Sequence, residues 1–406
     1  MSIWNRNFTI LTWGTVVSLA GANMTGFATS LFVYDETGSP FLFALFCVLD
    51  MLPCTILPVL CGPFLDKFSR RKAIYTLDFM SGALYAILAA CCFFGWMNYW
   101  VMAAGAVILS SIKAVYSVAY DSFYPMVADR ENLSKAFAVT STIETIVPYI
   151  QPVGWIIYRT IGLGPLFLIN MCCYVIAAIF ETQIRAKESY VKDEDEVYGV
   201  KQYIQTFKDG ISYLSKEKGL LAITLYFMMI SFSGSALEVN MIPYFKDTIA
   251  NGELLVQIVM ASSGIGRIVA GSFYYKRKLP SDKKFLLAII FYFLVNIIEG
   301  TLLLYPVWMM CIVYFLSGIM AMTTYNIRMA STQSYVPDDR KGRFNGTFSM
   351  LCTLGSIVGT MLAGTLSEFI DIRLVIACFT GLTILLIPAI FLPRKEAVKA
   401  IYNQDV

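Results

Sequence analysis

No histidine occurs anywhere in the 406 residues, and Asp, Glu, Lys and Arg together make up only 15% of them. The first absence removes the commonest metal ligand and the side chain that titrates nearest neutral pH, and it makes a Ser-His-Asp triad impossible. Any proton traffic must therefore run through carboxylates. The second absence separates the chain from soluble domains, in which about a quarter of residues are charged. A Gly-x-x-x-x-Gly-Lys-Ser/Thr run is missing as well, and with it the phosphate-cradling loop of ATP-driven pumps. The 10 cysteines include no Cys-x-x-Cys pair. They lie in or beside apolar stretches, as Cys91-Cys92 and Cys172-Cys173 do, and read as small apolar fillers rather than a disulfide or metal framework. These gaps argue against an enzyme and predict neither a metal nor a cofactor.

What the chain has in abundance is apolar sequence: 57% of residues are hydrophobic and the mean hydropathy is +0.65. Mostly apolar runs long enough to cross a bilayer recur at 8–33, 40–65, 73–95, 98–120, 134–158, 163–184, 220–245, 254–275, 284–304, 307–330, 344–367 and 372–392. The prediction is an all-α membrane protein with about twelve transmembrane helices in two six-helix bundles. The first run is too long for the core of a signal peptide and is expected to be retained. With the N-terminus inside, alternate loops collect Lys67 to Lys72, Arg130 and Lys135, Lys276 to Lys284, then Arg340, Lys341 and Arg343. The opposite loops hold only Arg159, Lys246 and Arg373. By the positive-inside rule both termini are then cytoplasmic. The net charge of +3 is small and its cations are confined to loops, so it speaks for topology and against nucleic-acid binding.

The spans divide six and six around one hydrophilic segment, which gives an N-terminal bundle at 1–184, a linker at 185–218 and a C-terminal bundle at 219–406. The linker opens with the acidic run Asp193 to Glu196. It then places Val200, Ile204, Phe207, Ile211 and Leu214 at helical spacing, which predicts an amphipathic helix at the membrane surface or a plain tether. The halves echo each other. Tyr124-Pro-Met-Val127-Ala-Asp129 precedes the fifth span as Tyr335-Val336-Pro-Asp338 precedes the eleventh, and Gly62-x-x-x-Asp66-Lys67 has a counterpart without the acid in Gly271-x-x-x-Tyr275-Lys276. Repeated loops at corresponding positions point to pseudo-symmetric bundles.

The stretch Gly62 to Lys72, with Gly62, Asp66, Lys67, Ser69, Arg70 and Arg71 at their spacing, resembles the loop 2–3 signature of the major facilitator superfamily. Asn5-Arg-Asn-Phe8, Val33-Tyr34-Asp35-Glu-Thr37-Gly38-Ser39, Pro125-x-Val127 and Asp209-Gly210-Ile-x-Tyr-Leu214 are similar to the branch of bacterial exporters that includes macrolide efflux pumps and siderophore exporters. The resemblance covers essentially the whole chain. It implies the major facilitator fold, export by alternating access, proton antiport and residence in a bacterial inner membrane. Two departures weaken the antiport implication. Val147-Pro148 to Gly154 keeps prolines and one glycine but not the antiporter pattern of the fifth span, and the arginine expected in the fourth span is missing, with Lys113 nearby in its stead. In such a fold Asp66 is implied to dock near the head of the eleventh span at Gly342-Arg343, where a helix N-terminus attracts a carboxylate. Gly62, Asp66, Arg70 and Arg71 then form a cytoplasmic gate motif, and Arg70 and Arg71 either pair with Asp121 or Asp129 or face water.

Ionisable groups inside a bilayer are expensive, so Asp50, Asp78, Lys113, Glu144, Glu238, Arg267 and Arg328 are each functional candidates. Asp50 in the second span, Glu144 in the fifth and Glu238 in the seventh are the proton-coupling candidates; for Asp50 the competing reading is a structural acid. Lys113, Arg267, Arg328 and Asn23 are the substrate or ion-pair candidates. Lys113 either binds an anionic group or carboxylate, or snorkels to the inner face. Glu144 and Arg267 are implied by the resemblance to form an ion pair between spans five and eight. Glu238, beside Ser231, Ser233, Ser235 and Asn240, suggests a polar wall. The expected partners are an amphipathic small molecule, protons and the lipid bilayer, with no nucleic acid and a monomeric chain. Import, facilitated diffusion and a non-transporting membrane sensor are the alternatives.

Overall fold

The computed structural model describes residues 4–65, 68–127, 133–185, 200–276 and 279–404. Among them every regular element is helical. Two compact units appear, one formed by Met1–Gly38 with Phe46–Val200 and the other by Ser39–Leu45 with Lys201–Val406.

The first unit contains α1 (Arg6–Thr37), most of α2 (Pro40–Leu65), α3 (Arg70–Phe93), α4 (Tyr99–Val127), α5 (Leu133–Ile146), α6 (Gln151–Ile161) and α7 (Leu163–Thr182). Polar caps set several of their ends. Asn5 Oδ1 accepts from Phe8 N at 2.8 Å to start α1, and Ser69 Oγ accepts from Lys72 N at 3.2 Å to start α3. Asn98 Oδ1 accepts from the amides of Trp100 and Val101 at 3.0 and 3.1 Å to start α4. Each satisfies a backbone donor that the helix itself leaves free. Gly38, at φ 59°, ends α1 in the left-handed conformation that glycine adopts without strain.

Eleven helices among the described residues are long and apolar enough to cross a membrane. The fifth expected span is built differently. Its residues form α5 and α6, separated by a 3-10 turn at Val147–Ile150. Pro148 opens that turn and Pro152 lies in the first turn of α6. Proline lacks the amide that a continuous ladder needs and crowds the carbonyl one turn back, so two prolines four residues apart break the helix there.

The second unit contains α8 (Val200–Lys216), α9 (Lys218–Thr248), α10 (Gly252–Lys276), α11 (Lys284–Thr301), α12 (Val307–Tyr335), α13 (Asp338–Ser367), α14 (Ile372–Phe391) and α15 (Lys395–Tyr402). The linker helix exists as α8, and it is not a bare tether. Leu214 belongs to the core of this unit, and a Cβ on Gly210 would lie 2.0 Å from Thr347 Oγ1 of α13. The acidic run Asp193 to Glu196 lies outside the described residues. The head of α2 packs with this unit: Glu368 accepts from Phe41 N at 3.0 Å and is hydrogen-bonded by Ser39 Oγ.

The helix α15 has no counterpart in the expected spans. It folds back so that Val398, Ile401 and Tyr402 are fully buried. The Tyr402 hydroxyl meets that of Tyr292 at 2.7 Å, and Asn403 Oδ1 accepts from Phe285 N at 2.9 Å at the head of α11. Large apolar side chains elsewhere face outward, as lipid-covered helices require. Trp96 and Trp100 flank the α3–α4 turn and Trp308 begins α12, each about two-thirds exposed at 67%.

Candidate functional site

In the first unit, Asp50 on α2 and Lys113 on α4 are both exposed and close enough for the lysine's charge to act on the acid. Cys54, one turn below Asp50, donates to Ser110 O of α4 at 3.5 Å. Two candidates that are 63 positions apart in sequence are thus neighbours across one helix pair. Asn23 is half-buried, and its Nδ2 donates to Leu19 O of its own helix at 2.8 Å. Glu144 is exposed on α5.

A second polar cluster in this unit was not fully anticipated. Asp78 on α3 is 2% exposed and Glu181 on α7 is 0% exposed, and the Asp78 carboxyl is close enough for its charge to act on Glu181. Tyr116 of α4 donates its hydroxyl to Glu181 Oε1 at 3.2 Å. Small residues make this enclosure possible. A Cβ on Gly82 would meet Val175 Cγ2 at 3.1 Å, and one on Gly14 would lie 3.4 Å from Glu181 Oε1. Glycine at these crossings brings α3 and α1 close onto α7. Sequence reasoning passed over Glu181 because it falls three residues from the end of its apolar run, where an acid reads as interfacial. The available signal was α7's own spacing: Asn170, Tyr174 and Glu181 recur on one helical face.

Arg70 and Arg71 anchor the same region through backbone carbonyls. Arg70 Nη1 donates to Ser122 O at 3.3 Å, and Arg71 Nη1 donates to Ile184 O at 2.6 Å. A guanidinium at the C-terminal end of α7 complements the helix dipole and ties that end to the head of α3. Asp66, Lys67 and Asp129 lie outside the described residues.

In the second unit, Glu238 on α9 and Arg267 on α10 are exposed. The charge of Arg267 acts on Glu238 and also on Glu299 of α11, whose Oε1 accepts from Ser317 Oγ at 3.4 Å. Glu299 is the other acid that sequence reasoning omitted, again because it stands near a span end. The polar wall expected around Glu238 is divided. Ser233, Ser235 and Asn240 turn into the bundle and are buried, with Asn240 Nδ2 donating to Ala236 O at 2.9 Å. Arg328 is a buried cation of this unit, 7% exposed, as Lys284 is at 6%. Its guanidinium lies over the rings of Phe348, Tyr325 and Phe227 at 4.6, 5.0 and 5.3 Å, an aromatic cage that stabilises a cation out of water.

Helices of this number, length and polar interior define a bundle fold, and comparison with known proteins fixes which one. Residues 2–404 match the model of the transmembrane secretion effector family. The chain belongs to that family, a branch of the major facilitator superfamily. It is 24% identical over 284 residues to the uncharacterised MFS-type transporter YvqJ of Bacillus subtilis (strain 168), across 68% of this chain and 66% of that protein. It is 23% identical over 286 residues to macrolide efflux protein A of Streptococcus pyogenes, across 68% of this chain and 69% of that protein. The aligned part therefore spans about two-thirds of these relatives. Among solved structures, the nucleoside transporter NupG superposes with a TM-score of 0.65 at 17% identity, covering 95% of this chain and 98% of that one. A point mutant of NupG gives 0.67 at 14% identity over 96% and 99%. That likeness establishes the major facilitator fold, as the loop 2–3 motif and the six-plus-six layout implied.

Proposed function

We propose that this family member is a secondary active exporter of amphipathic small molecules, driven by proton antiport and working by alternating access in a bacterial inner membrane. The observation that carries the reading is the set of exposed ionisable side chains on membrane-spanning helices: Asp50 with Lys113 in one unit, Glu238 with Arg267 in the other. Hydrocarbon penalises such groups heavily, so they belong where water, cargo or protons pass. Asp50, Glu144 and Glu238 are the acids assigned to proton coupling, and Lys113, Arg267, Arg328 and Asn23 to cargo or ion pairing. The similarity to macrolide efflux protein A supports the outward direction and the drug-like class of cargo. Gly62, Asp66, Arg70 and Arg71 are the gate motif, and the transporting unit is a single chain.

Purified chain in proteoliposomes tests this with a panel of macrolide and dye probes. Uphill probe movement is expected only when a proton gradient is imposed, and Asp50→Asn and Glu238→Gln each lower it at least tenfold. Equal flux with and without the gradient would mean facilitated diffusion. Binding without flux would mean a sensor.

A further inference from the structure

Asp78 and Glu181 stand apart from the exposed acids assigned above. Among the described residues they are the two membrane-embedded carboxyl groups of the first unit that are withdrawn from solvent, at 2% and 0% exposure. Each keeps one oxygen, Asp78 Oδ2 and Glu181 Oε2, with no hydrogen-bond partner among the described residues. Among the described residues the surroundings offer no compensating cation. From α4 they receive Tyr116, hydrogen-bonded to Glu181 Oε1, and Tyr120, within reach of Glu181's charge. From α7 comes Tyr174, within reach of Asp78. The α1 helix contributes the backbone face at Gly14 and no charged side chain between Asn7 and Tyr34. Lys113 acts on Asp50, and Arg71 Nη1 is taken up by Ile184 O. Among the described residues no cation's charge acts on either acid.

Two adjacent carboxylates in a dry interior cannot both remain ionised: each is penalised by desolvation and each repels the other. A proton on one of the two open oxygens removes the repulsion and one of the two buried charges. We propose that Asp78 and Glu181 form a proton-binding pair, in which a carboxylate oxygen left open by its neighbours, Oδ2 or Oε2, takes up one H⁺ to become a carboxylic acid and returns it as a carboxylate. Nothing is oxidised or reduced, and the only bond made or broken is O–H. Tyr116 occupies Oε1 and so directs protonation of Glu181 to Oε2. The tyrosine also belongs to a stacked column on α4, Tyr116 to Tyr120 at 5.8 Å and Tyr120 to Tyr124 at 5.3 Å between ring centroids. Thr15 donates to the Tyr120 hydroxyl at 3.2 Å. The three rings run along α4 from the acid pair toward its end at Val127. That the bound proton is the one exchanged for cargo rests on the antiport reading; the site itself does not.

Infrared titration of the purified full-length chain tests the site without any cargo. The carbonyl stretch of a protonated carboxyl is separate from that of a carboxylate. The wild type is expected to lose protonated-carboxyl intensity in a distinct step as pH is raised, and Asp78→Asn/Glu181→Gln is expected to abolish that step. The single Asp78→Asn should keep a step with a displaced midpoint, because a coupled pair titrates as a unit. Tyr116→Phe should displace it as well while leaving its amplitude. Both acid substitutions are isosteric amides, and the single variants report even if the double does not fold. A wild type without a step, or a step unaltered in Asp78→Asn and in Glu181→Gln, overturns the proposal. The two readings fail separately. Gradient-driven probe efflux combined with an unaltered step would remove the proton pair and leave antiport standing. An abolished step with no gradient-driven efflux would keep the pair and remove antiport.

Discussion

Asp371 performs two tasks at the head of α14. Its Oδ1 accepts from Arg373 N at 2.8 Å as a helix cap, and its carboxylate pairs with the Arg373 guanidinium at 2.9 Å. The hydrogen bond from the Arg373 side chain, joined by the one from its amide, holds the Asp371 carboxyl below the usual carboxylate range. A depressed folded-state pKa contributes stability above the unfolded value of about 3.9, and the contribution fades as pH falls through the folded value. At pH 7, Asp371→Ala should destabilise the second unit by about 0.5–2 kcal/mol, as loss of a helix cap does. Below about pH 4 the gap between variant and wild type should narrow, which thermal unfolding in detergent at the two pH values will measure. At this scale the sequence was a partial guide. It singled out Asp50, Lys113 and Arg267 because charge inside an apolar run is conspicuous. It omitted Glu181 and Glu299 because charge near the end of a run is ordinary, and only the packing of neighbouring helices decides whether such an end is wet or sealed.

The elements were easier to read than their joints. Hydropathy located the long helices, since a bilayer-crossing run has few alternatives to a helix, though α4 runs on to Val127 past the expected end at 120 and α13 starts at Asp338 before the expected 344. It drew the fifth span as one rod, although Pro148 and Pro152 stood in plain view, because a window average does not weigh the missing amides. It also passed over α15, whose Lys395, Glu396 and Lys399 look like a polar tail. The signal there was the spacing of Val398, Ile401 and Tyr402, one apolar face of a short helix that closes the core around Tyr292. Where α6 crosses α1, a Cβ on Gly154 would lie 2.0 Å from the backbone oxygen of Met24. A backbone atom cannot swing away as a side chain can. Gly154→Ala should therefore push α6 off α1 and destabilise the first unit by about 1–3 kcal/mol, the usual penalty of overpacking. A lowered unfolding midpoint in detergent would show it, and a midpoint within error of the wild type would mean that the crossing yields easily.

At the scale of the molecule, the family and the major facilitator fold were legible from the loop 2–3 motif and the six-plus-six spacing, and the whole-length family match agrees. The chemistry of cargo was not, because it depends on helix faces brought together from distant parts of the chain. One whole-molecule property follows from side chains that take no part in that chemistry. Trp96, Trp100 and Trp308 stand exposed at the α3–α4 turn and the head of α12, and indole rings settle at the boundary between acyl chains and headgroups. They fix the depth at which each unit floats. The 32 residues of α1 extend about 48 Å, well beyond the hydrocarbon core of about 30 Å, so the helix either tilts or projects its polar ends beyond that core. Acyl-chain length then becomes a variable of function: in lipids too short or too long, the indoles hold the units at the wrong height and tilt takes up the difference. Probe flux across a series of phosphatidylcholines of increasing chain length should peak at one length, and replacing the three tryptophans by alanine should flatten that peak more than it lowers it.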